Sequence, residues 1–255
     1  MALLEVINLK KIYTTRFGAQ KVQALSDVSF TVDSGEFVAI MGESGSGKTT
    51  LLNILAALDQ PTSGQVLLEG RSFTDIPEKE KSAFRRDNLG FVFQDFNLLD
   101  TFSIKDNIFL PLVLQNKPVA EMESRLRPLA ERLGLSDLLS KFPYEVSGGQ
   151  KQRTAVARAL ITQPRILLAD EPTGALDSKA ATRLMRMFRE IHQSGQTLVM
   201  VTHSAQAASY ASRVLFIKDG VVYNQMYRGD AAREAFYQKI LATLTALTSG
   251  GETGD

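Results

Sequence analysis

The chain has 255 residues, 44% of them hydrophobic, and its 29 lysine and arginine residues nearly balance 28 aspartate and glutamate residues. This balance argues against a protein that binds nucleic acid through a general basic field. There is no cysteine, which excludes disulfides, thiol nucleophiles and cysteine metal sites and suits the cytosol. The apolar runs fall short of the roughly 20 residues of a membrane span. A role at a membrane would therefore require spans supplied by another chain.

The first part of the chain alternates between predicted strands and helices. Strands are predicted at MALLEVINLKK (1–11), VSFTV (28–32), FVAIM (37–41), QVLLEG (65–70) and LGFVFQ (89–94). The N-terminal stretch alternates like a strand and carries no targeting signal. FVAIM is continuously apolar, which is typical of a strand buried on both faces. A helix is predicted from about Lys48 to Leu58, followed by a turn at PTSG (61–64).

The second part contains a helical stretch and then returns to the same alternation. Residues from about 97 to 163 lack a strand pattern and predict a helical insertion. Strands follow at RILLAD (165–170), TLVMVTH (197–203) and both arms of RVLFIKDGVVYNQ (213–225), with a hairpin turn at Asp219 and Gly220. Helices are predicted at 182–193 and at 229–247, and TSGGETGD (248–255) is expected to be disordered. The fold class is therefore α/β, a mixed sheet with flanking helices.

The stretch GESGSGKTT (42–50) fits the phosphate-binding pattern G-x-x-x-x-G-K-[ST]. It follows a buried strand and opens a helix, as the pattern requires. Its glycines let backbone N–H groups surround phosphate oxygens, Lys48 supplies a charge for the β- and γ-phosphates, and Thr49 can place its hydroxyl on Mg²⁺. The candidate phosphate ligands are Gly42, Glu43, Ser44, Gly45, Ser46, Gly47, Lys48, Thr49 and Thr50.

ILLADEP (166–172) supplies two carboxylates at the end of a buried strand. Asp170 is suited to order a metal-bound water, and Glu171 to polarise the water that attacks a γ-phosphate. His203 and Gln94 also end predicted strands, and the carboxyl ends of parallel strands line the ligand crevice. We therefore predict a γ-phosphate contact for His203. His192, among polar residues within a helix, is interpreted as a surface residue.

Two further features are less determined. Tyr13 precedes the phosphate-binding stretch and could stack on an adenine, but an ordinary strand tyrosine explains it equally well. VSGGQKQR (146–153) predicts a second anion-binding helix start, with Ser147 as the cap, Gln150 completing a capping box, and Gly148 and Gly149 allowing close approach. The chain thus has two predicted anion-binding segments, or cradles, at 42–50 and 146–153, and the presence of the second needs an explanation.

Together these motifs resemble the ATPase subunit of ATP-binding cassette (ABC) transporters. The resemblance covers about residues 4–228 and identifies Walker A (GESGSGKT), the Q-loop Gln94, the signature VSGGQ, Walker B (ILLADE), a D-loop (GALD, 174–177) and the switch His203. Two departures are small: Val146 replaces the usual leucine, and Gly174 the usual D-loop serine. The implied fold is a RecA-like P-loop core with a helical subdomain at about 97–163, an antiparallel β part, and a C-terminal region from 229 to 255.

The resemblance also implies how the two cradles are used. Two cassettes pack head to tail, so that Walker A of one copy and VSGGQ of the other enclose the same ATP. Asp177 of the D-loop then joins the ATP-binding residues, and Mg²⁺ is held by Thr49, Gln94 and Asp170. One chain carries two cradles because each serves a different ATP.

A closer likeness concerns the transporter branch. The segments 84–112 and DEPTGALDSK (170–179) resemble the macrolide-exporter and lipoprotein-release branch, and ASYASRVLFIKDG (208–220) with the C-terminal helix is most similar to ATPases of bacitracin and lantibiotic resistance modules. The likeness implies a ten-span permease with a large extracellular domain, an associated histidine kinase, no nucleic acid, and a place at the cytoplasmic face of the membrane. Lipoprotein release or cell division is the alternative client. A soluble repair or translation cassette is a poorer fit, since the chain lacks a long coiled-coil insertion and a second cassette.

Overall fold

The computed structural model describes residues 2–14 and 21–249. These residues form ten strands and eight α-helices. The strands are β1 (Ala2–Thr14), β2 (Lys21–Asp33), β3 (Phe37–Met41), β4 (Ser63–Leu68), β5 (Arg71–Ser72), β6 (Leu89–Val92), β7 (Ile166–Asp170), β8 (Thr197–Val201), β9 (Arg213–Lys218) and β10 (Val221–Tyr227). The helices are α1 (Lys48–Leu55), α2 (Glu78–Asn88), α3 (Ile104–Leu114), α4 (Val119–Arg132), α5 (Gly148–Leu160), α6 (Ser178–Gln193), α7 (Ala205–Ala208) and α8 (Arg233–Ser249).

The chain divides into two compact units, one from residues 1–74 and 200–255 and the other from residues 75–199. The strand order in the first unit is β5-β4-β1-β2-β10-β9-β3. Its outer strands β5, β4, β1 and β2 pair antiparallel, whereas β3 and β9 pair parallel. All five residues of β3 are buried, as its continuous apolar sequence predicts. Helix α1 contacts β2, and α7 contacts β3 and α8.

The second unit contains β6 and β7, which pair in parallel, and most of the helices. Helix α5 contacts α3, α6 and β6. Ile166, Leu167, Leu168 and Ala169 of β7 are all buried. Residues 97–163 contain only helices and turns, which agrees with the predicted helical character of that stretch. The predicted α/β class, with its antiparallel part, is confirmed.

Several predicted boundaries are wrong. Helix α1 ends at Leu55 rather than Leu58, because Ala57 has a positive φ of 52°. The Leu58 N–H then turns back to donate to the Asn53 carbonyl at 2.9 Å. Strands β6 and β8 end at Val92 and Val201. Gln94 and His203 therefore lie in the connections after these strands.

Several other features of the structure also differ from the predictions. The sequence patterns do not predict α2 or the short β5. Helix α8 begins at Arg233 rather than at 229, and it extends to Ser249, so disorder from residue 248 is wrong for its first two residues. The rest of that predicted tail, 250–255, lies outside the described residues. His192 is half-buried at the end of α6 and not fully on the surface. In the part of the chain that is described, no helix is both long and apolar enough to cross a membrane.

Candidate nucleotide-binding site

The phosphate loop, residues 42–50, connects β3 to α1 in a backbone path that only glycine permits at two positions. Gly47 precedes α1 with φ of 100°, and a Cβ there would lie 2.3 Å from the Ala24 carbonyl oxygen. A Cβ at Gly42 would lie 2.2 Å from the Ile217 carbonyl oxygen. Both contacts are far closer than van der Waals distance, so the loop is held between neighbouring backbone segments.

The phosphate loop folds around its own lysine. The Lys48 ammonium donates to the carbonyl oxygens of Gly42 at 2.9 Å and Glu43 at 2.6 Å. No side chain caps the N-terminus of α1, and no acidic residue lies in its first turn. Helix N–H groups and a lysine thus lie together in this loop, whose one carboxylate belongs to the exposed residue Glu43. This donor set fits the phosphates of a nucleotide.

His203 belongs to the same unit as the phosphate loop. The N–H of Thr202 donates to the Ile40 carbonyl at 3.0 Å, so the backbone beside His203 runs along the end of β3, two residues before Gly42. The imidazole is exposed. Ser204 then caps α7 by accepting from the Ala207 N–H at 3.2 Å.

Tyr13, near the end of β1, is also in this unit and is 41% exposed. Its hydroxyl donates to Asp59 Oδ2 at 2.8 Å. Asp59 lies in the connection that follows α1, so this hydrogen bond joins Tyr13 of β1 to the C-terminal end of α1.

The two candidate carboxylates lie in the second unit, at the end of β7. Asp170 is the last residue of the strand, and both it and Glu171 are half-buried. Glu171 has a positive φ of 42°, a backbone region that costs a non-glycine residue about 1–3 kcal/mol and occurs often at functional sites. The turn is closed by the Gly174 N–H, which donates to the Glu171 carbonyl at 2.9 Å.

The predicted capping box at the start of α5 is confirmed. The Ser147 hydroxyl accepts from the Gln150 N–H at 3.3 Å, and the Ser147 N–H donates to Gln150 Oε1 at 2.7 Å. Because the hydroxyl oxygen acts as acceptor, its O–H remains able to donate to an anion. Ser147 and Gly148 are exposed, as a site for an external ligand requires.

Positive charge accumulates close to this helix start. Arg153 lies in α5, and both its burial and the charge of Arg183 on α6 lower its pKa. Asp177 caps α6 by accepting from the Ala180 N–H at 2.8 Å, a hydrogen bond that lowers the pKa of its carboxyl. The two arginines lie in the second turns of α5 and α6, and the ionised Asp177 carboxylate near Arg183 offsets part of their charge.

Two side chains of α5, which the sequence did not single out, bind the backbone around the candidate residues. Gln152 is fully buried and donates to the carbonyls of Pro172 at 2.8 Å and Phe93 at 3.4 Å. Arg158 donates to the carbonyls of Phe96, at 2.8 Å, and Asn97. Helix α5 therefore contacts both the residue after Glu171 and the segment after Gln94.

Gln94 is exposed, and its side chain lies against Gly174 of the second unit. A Cβ added at Gly174 would be 2.9 Å from Gln94 Cδ. The serine that is usual at this D-loop position would therefore displace the Gln94 amide, so this departure from the family pattern has a local structural consequence.

The predicted site residues thus group by unit. The first unit contains Tyr13, the phosphate loop and His203, and the second contains Gln94, Ser147, Gly148, Gly149, Gln150, Asp170, Glu171 and Asp177. A family model described as ABC transporter matches residues 25–174. The chain belongs to the ABC transporter family. The match includes the phosphate loop, or Walker A, together with Gln94, the signature segment and Walker B, whereas Tyr13, Asp177 and His203 lie outside it.

Individual relatives of this ABC protein align over 91% to 100% of its length. It is 46% identical over 256 residues to the bacitracin export ATP-binding protein BceA of Halalkalibacterium halodurans, with 100% of both chains covered. It is 48% identical over 254 residues to the ABC transporter ATP-binding protein YxdL of Bacillus subtilis, covering 99% of this chain and 96% of the relative. The macrolide export ATP-binding/permease protein MacB of Hyphomonas neptunium is 40% identical over 91% of this chain, which corresponds to 36% of MacB.

Solved structures include a dimer of the ATP-binding cassette MJ0796 in a post-hydrolysis state bound to ADP and Pi. It is 38% identical, with a TM-score of 0.79, and the match covers 88% of this chain and 98% of that one. The predicted family, its P-loop fold and its likeness to bacitracin exporters are confirmed. The chain is an ABC ATPase, the ATP-binding subunit of an ABC transporter.

Proposed function

We propose that this ABC ATPase powers a membrane permease that protects a bacterial envelope from peptide antibiotics of the bacitracin and lantibiotic type. The observation that carries the proposal is the 46% identity, over both entire chains, with a bacitracin export ATP-binding protein. The identity extends through α8, which lies beyond the region matched by the general family model.

The nucleotide roles follow from the chemistry of each side chain. Lys48 and the N–H groups of the phosphate loop would bind phosphate oxygens, and Glu171 would accept a proton from the attacking water. His203 would contact the γ-phosphate. Thr49, Gln94 and Asp170 would hold Mg²⁺. Their oxygen atoms suit this hard cation, which typically takes few protein ligands and shares the phosphates.

The second half of each site would come from another copy of the chain. The exposed capping box at Ser147 offers donors to an anion, yet the chain has its own phosphate loop. A head-to-tail dimer explains both, and the similar cassette MJ0796 is dimeric. ATP would then close the dimer and hydrolysis would reopen it.

A groove in the second unit offers a docking place for a cytoplasmic segment of the permease. It has a volume of about 330 Å³ and is lined mainly by apolar side chains of β6, the following connection and α3, including Phe91, Phe93, Leu110 and Leu114. Leu99 and Phe102, which follow Gln94, are 43% and 38% exposed. Phe96 and Leu98 of the same segment are half-buried. In this proposal the protein lies at the cytoplasmic face of the membrane, where a ten-span permease holds it. The permease in turn associates it with a histidine kinase.

Deletion of the gene in its host should lower the minimum inhibitory concentration of bacitracin or of a lantibiotic. Wild-type protein should restore resistance. Glu171→Gln, which keeps the shape of the side chain but not its basicity, should bind ATP, lose about 10²–10⁴-fold in turnover and fail to restore resistance. Unchanged sensitivity together with mislocalised lipoproteins or blocked division would contradict the proposal and identify the alternative client.

A further inference from the structure

Gln152, in the second turn of α5, is a fully buried polar side chain of the second unit. Its Nε2 group donates to the Phe93 carbonyl at 3.4 Å and to the Pro172 carbonyl at 2.8 Å. These partners lie 59 and 20 residues away from it along the chain. One amide group thus joins two segments that are distant from each other in the sequence.

The orientation of the Gln152 amide follows from its two partners. Both are carbonyl oxygens, which only accept hydrogen bonds, so the NH₂ group of the amide must face them. The Oε1 atom has no hydrogen-bond partner among the described residues, and a buried acceptor without a partner destabilises a fold. What the amide contributes at this position is therefore its two donated hydrogen bonds.

Each of the two carbonyls adjoins a residue with a proposed role in ATP hydrolysis. The Phe93 carbonyl shares a planar peptide group with the N–H of Gln94, a proposed Mg²⁺ ligand. Pro172 directly follows Glu171, the proposed base. The proline ring fixes φ near −65°, so few bond rotations separate the Pro172 carbonyl from the Glu171 backbone. Gln152 therefore restrains the main chain beside both residues.

The turn after Glu171 also contacts Gln94 directly. The Gly174 N–H closes this turn by donating to the Glu171 carbonyl at 2.9 Å. The exposed Gln94 side chain lies so close to Gly174 that a Cβ there would be 2.9 Å from Gln94 Cδ. The two segments thus touch at the surface, while Gln152 binds both of them from the buried side.

The backbone of Glu171 requires such a restraint. Its φ of 42° lies in the left-handed region, which a non-glycine residue keeps only where the surrounding structure determines its conformation. The Gly174 N–H and the Gln152 amide bind the two ends of the short turn that begins at Glu171. Without the second of these contacts, the direction of the Glu171 side chain would be less well defined.

We infer that Gln152 is a positioning residue for ATP hydrolysis, which fixes the turn that carries Glu171 relative to the segment that carries Gln94. Because it is fully buried, Gln152 acts through the backbone of these segments and does not bind the nucleotide. The inference rests on the proposed roles of Glu171 and Gln94 and adds the residue that holds them in register.

Gln152→Met tests the inference in the full-length chain, because methionine has a similar length and no donor. Amide hydrogen exchange of residues 94–96 and 173–176 should rise together by roughly tenfold. In steady state kcat should fall by about 10- to 100-fold, as expected when a reacting group is misplaced. The affinity for ATP without Mg²⁺, measured by isothermal titration, should stay unchanged, since the phosphate loop belongs to the first unit.

Thr154→Val is the matched control. Thr154 is equally buried and lies two residues further along α5, but its hydroxyl donates within the same helix, to the Gln150 carbonyl at 2.9 Å. Its loss should leave the exchange of both segments and kcat unchanged. Gln152→Asn keeps the amide on a side chain one methylene shorter, and it should show both effects of Gln152→Met in smaller measure.

A double variant separates positioning from a general loss of structure. Residues that act through one another do not have additive effects, so Gln152→Met combined with Glu171→Gln should be no slower than Glu171→Gln alone. Multiplied losses, unchanged exchange in the two segments, or an equal loss of affinity for ATP without Mg²⁺ would each overturn the inference. Full activity of Glu171→Gln by itself would instead contradict the proposed base.

Discussion

In the proposed site, the hydrogen bonds of Lys48 and Ser147 prepare these two residues to bind a ligand. The Lys48 ammonium is held by two carbonyls of its own loop, so it is already in place when a phosphate arrives. The Ser147 oxygen accepts from Gln150 and retains its own proton as a donor. Each residue lies in a different unit of the same chain.

These roles predict complementation between two inactive variants. Lys48→Ala removes charged hydrogen bonds and should weaken ATP binding by about 10- to 100-fold. Ser147→Arg should leave binding to the single chain intact and abolish turnover, because it blocks the neighbour's ATP. Mixed together, the two should recover part of the wild-type ATPase rate. Heterodimers that form, as shown by differently tagged copies, yet remain inactive would contradict a shared site.

Some of these residue-level features were readable from the sequence and others were not. The capping box at Ser147 and Gln150 is local, so its spacing alone predicts it. The positive φ of Glu171 and the contacts of Gln152 and Arg158 depend on packing between segments far apart in the chain. Lys11 and Tyr13 are close in the sequence. Asp59, which binds both side chains, is 46 residues from Tyr13, so local spacing does not predict this contact.

At the scale of elements, α5 combines two tasks. Its first turn presents the signature segment, and its later turns bind the backbone around Gln94 and Glu171. The segment it holds is strained: Phe96 and Asn97 both have positive φ, 61° and 49°, and Arg158 donates to both of their carbonyls. Burial lowers the pKa of Arg158, and its donors are satisfied by carbonyl oxygens.

The loss of Arg158 should therefore loosen the segment after Gln94. Arg158→Met keeps the length of the side chain but removes both hydrogen bonds, and it should raise amide hydrogen exchange of residues 95–99 by roughly tenfold. The affinity for ATP without Mg²⁺ should stay unchanged, since no predicted phosphate ligand of the first unit is touched. Arg127→Met, an exposed position on α4, is the control. Unchanged exchange in the Arg158 variant would show that the helix does not hold this segment.

The elements that the sequence predicted correctly have apolar patterns, and those it missed do not. Helix α2 contains one buried residue, Lys81, which pairs with Glu78 at 2.7 Å, so it shows no apolar stripe to detect. Helix α1 was predicted three residues too long because its apolar run continues past the turn at Ala57. The sequence predicts strands β6 and β8 that extend to Gln94 and His203. The spacing and polarity of the side chains do not show at which residue the hydrogen bonding between strands ends.

At the scale of the whole molecule, the division into residues 75–199 and the remainder is not visible in composition. The helical subdomain from about 97 to 163, within a cassette ending near 228, stays a prediction. Helix α8 is better defined, since it buries Phe236 and Ile240 and contacts α7. Lys218 of the β9–β10 hairpin also donates to the Leu247 carbonyl at 3.0 Å, so the helix is attached at both ends.

The left-handed backbone at Glu171 has a consequence for how long the folded protein survives heating. Asparagine tolerates positive φ far better than glutamate or glutamine, so Glu171→Asn should relieve about 1 kcal/mol of strain and raise Tm by about 2–4 °C. Glu171→Gln, which also lacks the proposed base, is the matched control and should melt like the wild type. Scanning fluorimetry of both nucleotide-free variants measures the difference, and equal melting temperatures would show that the turn is unstrained. If Glu171→Asn melts at the higher temperature, selection for turnover keeps this chain below its attainable heat resistance. Descendants that abandoned hydrolysis would then be expected to drift toward asparagine or glycine at this one position.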